Sequence, residues 1–169
     1  WPLINYRIGV FYKINTELGH LSASNDYDVK IIPLLGSITN KQRVEETIKK
    51  FEIDTIYHAA AYKHVTLIEN NIEEGVLNNI FGTSIVAQAA LDLHVENFIL
   101  ISTDKAVRPT SVMGATKRIA ELIIQGLSQK RKSEGLDGKK PTHMVIVRFG
   151  NVLGSSGSVV PLFQRQIAL

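Results

Sequence analysis

The sequence contains no cysteine among its 169 residues, so it can form neither a disulfide framework nor a thiolate metal site. No apolar run approaches the roughly 18–20 residues that a membrane span needs, and no signal-peptide pattern opens the chain. The five histidines show no His-x-x-x-His pair and no carboxylate spacing typical of a metal centre. We therefore predict no metal and take the cytoplasm as the default compartment.

Charge of one sign is also scarce, because 19 Lys and Arg residues are balanced by 16 Asp and Glu, for a net charge of +3. The whole excess lies within residues 129–141, a polar stretch that contains no aromatic residue. A nucleic-acid site would place aromatic side chains among its basic residues, so a solvated loop is the favoured interpretation. We predict no nucleic-acid partner.

A composition of 44% hydrophobic and 21% charged residues excludes disorder and a coiled coil. Apolar runs typical of strands alternate with amphipathic patterns typical of helices. The predicted strands are 30–35, 54–58, 97–102 and 143–149, and the predicted helices are 41–51, 75–93, 113–132 and one from 159 onward. This alternation predicts an α/β fold with a doubly wound parallel sheet (Rossmann-like) and right-handed crossovers.

The glycine-rich loop GxGxxG, which follows the first strand of a dinucleotide-binding fold, is absent. We therefore expect the first strand and this loop to lie outside the chain. Residues 1–169 would then be a partial NAD(P)-binding domain with the start of the substrate-binding region, inactive alone. The acidic ribose ligand would fall near residues 1–9, which hold no Asp or Glu. Arg7 could suit a 2′-phosphate or belong to a frayed terminus, so NAD and NADP both stay open.

Ligands of doubly wound sheets bind beyond the carboxyl ends of the strands. Three alanines, 59–61, follow the second predicted strand, and small side chains there allow either close approach of a ligand or tight helix packing. Residues 102–105 present hydroxyl, acid and base groups in succession, which a solvated turn would also explain. Met113 and Lys117 are four residues apart and share one helix face.

Several long motifs resemble the polysaccharide-biosynthesis nucleotide-sugar 4,6-dehydratases, which are extended short-chain dehydrogenases acting on UDP-N-acetylglucosamine. They are DTIYHAAAYKHV (54–65), NNIFGT (78–83), ISTDKAVRPT (101–110), MGATKR (113–118) and VRFGNVLGSSGSVVP (147–161). Met113 stands where the extended family usually has the Tyr of Tyr-x-x-x-Lys, so the resemblance is to the branch with this Met. Gly36-Ser37 stands where the family usually has Gly-Asp, with the Asp near adenine.

The resemblance implies bound NAD or NADP and conversion of a UDP-N-acetylhexosamine, with UDP-N-acetylglucosamine the expected substrate, to its 4-keto-6-deoxy form. Asp104 would protonate the departing hydroxyl, and Lys105 would take the C5 proton. The implied catalytic residues are Thr103, Asp104, Lys105, Ser111, Met113 and Lys117. Those implied at the cofactor are Ala59, Ala60, Ala61, Asn79, Ser102 and Lys117. Those implied at the sugar nucleotide are Lys63, His64, Arg148 and Asn151.

Two other functions remain open: a nucleotide-sugar 4-epimerase or reductase of the same fold, and a non-catalytic nucleotide-binding module. The Asp104-Lys105 pair favours elimination, and the Met at 113 argues against simple epimerisation because a thioether cannot exchange protons. We also expect a homo-oligomer. The resembling Met-type enzymes often have membrane helices, which would place the protein at the cytoplasmic face of the inner membrane.

Overall fold

The computed structural model describes residues 30–133 and 141–150, together with Ile167. The chain divides into two compact units, Trp1–Leu35 and Gly36–Leu169. The described part of the first unit, residues 30–35, contains no helix or strand, so the strand predicted there is wrong. Pro33 accounts for this, because it lacks the backbone N–H that a strand ladder needs in the middle of the run.

A parallel sheet forms the centre of the second unit. Within the described residues it has three strands, in the order β1 (Thr55–His58), β2 (Asn97–Thr103) and β3 (His143–Phe149). β1 ends at the level of Leu100, whereas β2 and β3 continue together to the pair Thr103–Phe149. All three strands were predicted, and their carboxyl ends lie at one edge of the sheet, which we call the carboxyl edge.

Helices connect the strands, as the alternating pattern predicts. α1 precedes β1, a broken helical run joins β1 to β2, and one long helix joins β2 to β3. They are α1 (Lys41–Phe51), α2 (Val65–Glu69), α3 (Ile72–Val76), a π-helical segment (Leu77–Gly82), α4 (Thr83–Asp92) and α5 (Val112–Ser133). The helix predicted at 75–93 therefore begins earlier and contains a π-helical part. The helix predicted from 159 lies outside the described residues, apart from Ile167, which is helical.

The ends of α1 show why that helix stops where the sequence predicts. Asn40 caps its first turn, since its side-chain oxygen accepts a hydrogen bond from the Arg43 N–H at 3.0 Å. Glu52 ends it in the left-handed region, with φ of 48°. Between them Ile48 is buried against the central core.

The main core lies between β2 and two helices, α4 and α5. Phe98 and Leu100 point from β2 into this layer and are fully buried. They meet small residues, including Ala90 of α4 and Ala120 of α5, which let the helices approach the sheet closely. Both crossovers step in the same direction across the sheet, so right-handed connections place both helices on the same face. No helix in the described part of the chain is long and apolar enough to cross a membrane.

Truncating Phe98 tests this assignment of the core. Phe98→Ala should lower the free energy of unfolding by about 3–5 kcal/mol, because it removes a fully buried ring and leaves a cavity. Urea denaturation measures the change. Tyr57→Ala is the matched control, since Tyr57 lies on β1 and is 73% exposed. An equal loss in the two variants would show that the core lies elsewhere.

Candidate functional site

The loop after β1 is fixed by a buried amide. Asn79, which has no exposed surface, accepts a hydrogen bond from the Tyr62 N–H at 2.8 Å and donates to the Tyr62 carbonyl at 3.1 Å. Its amide group also donates to the Thr116 hydroxyl on α5, at 3.1 Å. Asn78 donates to the Ala60 carbonyl at 3.3 Å. The predicted cofactor residues Ala59, Ala60 and Ala61 therefore lie on a loop held by the π-helical segment.

His58 ends β1 beneath this loop and is 4% exposed. Its Nε2 lies 2.9 Å from the Thr83 hydroxyl oxygen, and that hydroxyl donates its single proton to the Asn79 carbonyl at 2.7 Å. Nε2 must therefore carry the hydrogen and donate it to Thr83. Desolvation, followed by the charge of Lys117, lowers the pKa of His58 to about 4, so the ring is neutral at pH 7.

The turn after β2 brings the predicted acid and base together. Lys105 Nζ lies 3.1 Å from Asp104 Oδ1, and the Thr103 hydroxyl donates to the same oxygen at 2.9 Å. These hydrogen bonds, that of Lys105 foremost, hold the pKa of Asp104 below its usual value. Both side chains are exposed, and the carboxyl is ionised. That is the opposite protonation state to the one that a proton donor for elimination needs.

The first turn of α5 packs directly on the turn Thr103–Lys105, which we call the acid–base turn. A Cβ atom at Gly114 would collide with the Lys105 carbonyl oxygen and lie 3.2 Å from Pro109 Cβ. Ser111, one of the catalytic residues that the resemblance implies, caps the helix: its hydroxyl accepts a hydrogen bond from the Gly114 N–H at 3.1 Å. Glu69 of α2 accepts from the Val112 N–H at 2.7 Å. The structure therefore gives Ser111 a helix-capping contact.

Met113 and Lys117 lie one turn apart on α5 and are both buried, at 4% and 6% exposure. Lys117 Nζ donates to the Ile101 carbonyl of β2 at 2.6 Å. Burial lowers the pKa of Lys117 to about 8, against the opposing effect of Glu121. The ammonium group thus lies beside the carboxyl edge and loses its proton at a lower pH than an ordinary lysine does.

Glu121 is the residue that sequence reasoning missed. It has no exposed surface and follows Lys117 by four residues, so the helical spacing that linked Met113 to Lys117 could have found it. Its Oε1 accepts from the Ser102 hydroxyl at 2.6 Å and from Arg148 Nε at 2.8 Å. Its Oε2 accepts from Arg148 Nη2 at 2.7 Å and from Arg118 Nη1 at 2.9 Å. These bonds, that of Arg148 foremost, outweigh desolvation and lower the pKa of Glu121 to about 2.

The residues predicted to bind the sugar nucleotide differ in their position and in their partners. Arg148 lies near the carboxyl edge, but two of its nitrogens bind Glu121. Lys63 and His64 are exposed in the loop after β1. Asn151 lies outside the described residues, although Gly150 places the end of β3 near Asp104, since a Cβ there would be 3.7 Å from Asp104 Oδ2.

The predicted residues thus form two groups at the carboxyl edge. Asn79, Lys117 and the alanine loop surround the end of β1, and the Thr103–Lys105 turn follows β2. Small side chains, a buried ammonium and a rigid loop fit a dinucleotide at such an edge. Among the described residues, no cluster of three or more His, Asp or Glu side chains could hold a metal ion.

The model of one protein family, described as polysaccharide biosynthesis protein, matches residues 6–169. The chain is 46% identical over 165 residues to the capsular polysaccharide biosynthesis protein CapD of Staphylococcus aureus, covering 98% of this chain and 26% of that protein. It is 36% identical to a UDP-N-acetylglucosamine 4,6-dehydratase (inverting) of Campylobacter jejuni, covering 79% and 38%. It is 35% identical to a UDP-glucose 4-epimerase of Rickettsia canadensis, covering 79% and 37%. The chain thus spans well under half the length of these relatives.

Solved structures share the fold. The X-ray structure of Pen from Bacillus thuringiensis matches with a TM-score of 0.73 at 40% identity, covering 92% of this chain and 45% of that one. A UDP-glucose 4-epimerase from Brucella ovis in complex with NAD matches with a TM-score of 0.64 at 21% identity, covering 73% and 39%. The parallel, Rossmann-like α/β fold predicted from the sequence is therefore confirmed.

The buried His58 should make the protein sensitive to mild acid. Its pKa is about 4 in the folded state and 6.5 ordinarily, so the unfolded state binds the extra proton as the pH falls from 6.5 to 4. This group's contribution, about 3 kcal/mol in all, is fully present above pH 6.5 and lost towards pH 4. Urea denaturation across this range should show a smaller loss in His58→Gln than in the wild type. His143→Gln, at an exposed site, should behave as the wild type does; identical pH dependence in all three would contradict the assignment.

Gly114 can be tested against another glycine of the same helix. Gly114→Ala should lower the free energy of unfolding by about 1–3 kcal/mol, because the new Cβ collides with the Lys105 backbone. Gly126→Ala should instead raise it by about 0.5–1 kcal/mol, since nothing lies within 4 Å of that position and alanine favours a helix. Urea denaturation measures both. A stabilised Gly114→Ala variant would mean that α5 does not pack on the acid–base turn.

Proposed function

The chain belongs to the polysaccharide biosynthesis protein family, and we propose that it forms part of a nucleotide-sugar 4,6-dehydratase that uses bound NAD or NADP. The substrate is a UDP-N-acetylhexosamine, with UDP-N-acetylglucosamine the first to test. A relative 36% identical to the chain carries the name of that activity, which supports the proposal. The reaction removes water and leaves a 4-keto-6-deoxy sugar.

The acid–base turn after β2 carries the proposal. Eliminating water from C5 and C6 of a sugar needs a base at one carbon and an acid at its neighbour. Asp104 and Lys105 supply both groups within 3.1 Å, exposed at the edge of the sheet where ligands of this fold bind. An enzyme that only oxidises or reduces a sugar does not need this acid–base pair.

NAD or NADP, when bound, would supply the oxidation at C4 and the reduction at C6. Thr103 would turn its hydroxyl from Asp104 and donate a hydrogen bond to the C4 oxygen. Lys105 would take the proton from C5, and Asp104 would give a proton to the C6 hydroxyl, which leaves as water. Lys105 would then return its proton to C5. The proton that the C4 hydroxyl loses on oxidation would restore the acid form of Asp104, so that the net change is the loss of one water.

The ion pair in the structure and the pair needed for elimination hold the same protons and differ only in which of the two side chains carries one of them. In the structure Lys105 is the ammonium and Asp104 the carboxylate. Moving a proton across their 3.1 Å contact gives the amine and the acid that the reaction requires. A bound sugar would exclude water from this exposed turn and so favour the neutral pair, because both charges lose their hydration. Substrate binding thus prepares the two groups together.

The residues near the end of β1 are those that would hold the cofactor. Ala59, Ala60 and Ala61 leave room for a close approach, and Asn79 keeps their loop in place. Lys117 would place its positive charge near the nicotinamide ribose. The buried Met113 contributes no proton donor, which favours dehydration over the 4-epimerase activity named for another relative.

A second copy of the chain is the partner we propose beyond the sugar nucleotide. The π-helical segment and α5 pack together and carry exposed apolar side chains, namely Leu77, Phe81, Ile119 and Leu122. Burying them in a homo-oligomer would remove this apolar surface from water. Sedimentation of the full-length protein would reveal the assembly. Activity in the cytoplasm, or at the cytoplasmic face of the inner membrane if the full-length protein has membrane helices, remains our prediction.

Replacing Lys105 provides the test of the mechanism. In the full-length protein, Lys105→Ala should lower formation of the 4-keto-6-deoxy product from UDP-N-acetylglucosamine by about 10²–10⁴-fold, because the positioned base is lost. Oxidation at C4 should continue, so reduced cofactor accumulates on the protein and is seen by its absorbance. In D₂O the wild type should place deuterium at C5 of the product, and the variant should leave C5 of recovered sugar unlabelled.

Lys49→Ala is the matched control, since Lys49 is an exposed lysine in the last turn of α1. It should keep the wild-type rate and the deuterium at C5. Near wild-type product formation by Lys105→Ala would place the base elsewhere. A C4 epimer without loss of water would identify an epimerase, and no reaction of UDP-N-acetylglucosamine with the wild type would support a binding module.

A further inference from the structure

We propose that Glu121 is a positioning residue that keeps Lys117 charged and fixes the ends of β2 and β3 beneath the site. Its carboxylate acts as the buried counter-ion of the Lys117 ammonium and joins the side chains of Ser102 and Arg148. The contact between Lys117 and the cofactor is part of the proposed function, and the site in this proposal rests on it. The counter-ion role concerns contacts within the chain itself.

Two charged side chains tie α5 to consecutive residues of β2. Lys117 donates to the Ile101 carbonyl at 2.6 Å, and Glu121, one turn later, accepts from the Ser102 hydroxyl at 2.6 Å. Residues four apart on a helix lie on the same face, so both side chains reach β2 from one side of α5. The pair therefore fixes where α5 lies along β2.

Glu121 also ties α5 to β3. Ser102 and Arg148 are direct neighbours in the parallel register of β2 and β3. The carboxylate accepts a hydrogen bond from Ser102 and two from Arg148, so it lies over this pair and joins three elements. Apolar side chains of the same shape could fill the space, but they could not satisfy the buried Ser102 hydroxyl.

Lys117 needs a counter-ion because burial disfavours its charge. The titratable groups around Lys117 and Glu121 come from several elements. His58 of β1 interacts with the charge of Lys117 and is neutral at pH 7, whereas Arg148 of β3 and Arg118 of α5 are positive and bind Glu121. Asp104 and Lys105 pair with each other. Glu121 is thus the group in this set whose negative charge raises the pKa of Lys117 against burial.

The pH dependence of Lys117 labelling separates this role from simple structural support. In the full-length protein, limited acetylation across a pH series, read by mass spectrometry at Lys117, gives a midpoint that reports the pKa and a plateau that reports access. Glu121→Gln should lower the midpoint from about 8. A fall of one unit would make labelling at pH 6 about tenfold faster at an unchanged plateau. Structural loosening would act in the opposite direction, moving the midpoint up towards 10.5 and raising the plateau.

Arg118→Gln is the matched variant, because it removes a positive charge from the same carboxylate but leaves the bonds from Ser102 and Arg148. It should move the Lys117 midpoint upward at an unchanged plateau. This partly exposed site also decides the question if Glu121→Gln does not fold. An unchanged midpoint in the variants that fold, or a rise in Glu121→Gln, overturns the proposal. Turnover of UDP-N-acetylglucosamine by the wild type tests the proposed function separately, since labelling needs no substrate.

Discussion

The carboxyl edge of this fold depends on one fully buried carboxylate. Burying a charge costs several kcal/mol unless hydrogen bonds and opposite charges compensate it. Glu121 receives four hydrogen bonds from Ser102, Arg118 and Arg148, which come from two strands and one helix. A carboxylate so placed tolerates little displacement of any partner. The positions of the residues above it, Lys117 and the acid–base turn, follow from that constraint.

Burial lowers the pKa of both buried basic groups of the site but leaves them in different charge states at pH 7. His58 and Lys117 both have a lowered pKa because they are desolvated, yet His58 is neutral at pH 7 whereas Lys117 is still mostly charged. His58 donates a hydrogen bond from its ring to Thr83, which in turn donates to the Asn79 carbonyl. It thereby supports the loop that Asn79 fixes. One residue stabilises the site without a charge, and the other brings a charge to it. At the exposed Asp104–Lys105 pair, hydrogen bonds from Lys105 and Thr103 hold the pKa of Asp104 below its usual value instead.

Local sequence patterns predicted most of the fold, because strands and helices here have clear periodicities. α1 and β3 begin and end where the sequence indicates, whereas the run at 30–35 failed through Pro33. The location of the candidate site residues at the carboxyl edge was predictable wherever they directly follow a strand. Glu121 was missed because its significance lies in partners 19 and 27 residues away in sequence, which only the folded chain brings together. The helix cap made by Ser111 and the close approach at Gly114 were likewise invisible, since both depend on how α5 meets the preceding loop.

The π-helical segment between α3 and α4 makes the site unusually sensitive to the length of the chain. A π turn is equivalent to an α-helix that accommodates one additional residue. Loss of one residue within Leu77–Gly82 would let the run from Ile72 to Asp92 become a regular α-helix without breaking it. Each residue turns an α-helix by about 100°, so Asn79 would rotate away from Tyr62 while the core residues of α4 kept their places. A deletion that leaves the fold intact would thus release the alanine loop, so in this segment sequence length constrains function more tightly than it constrains stability.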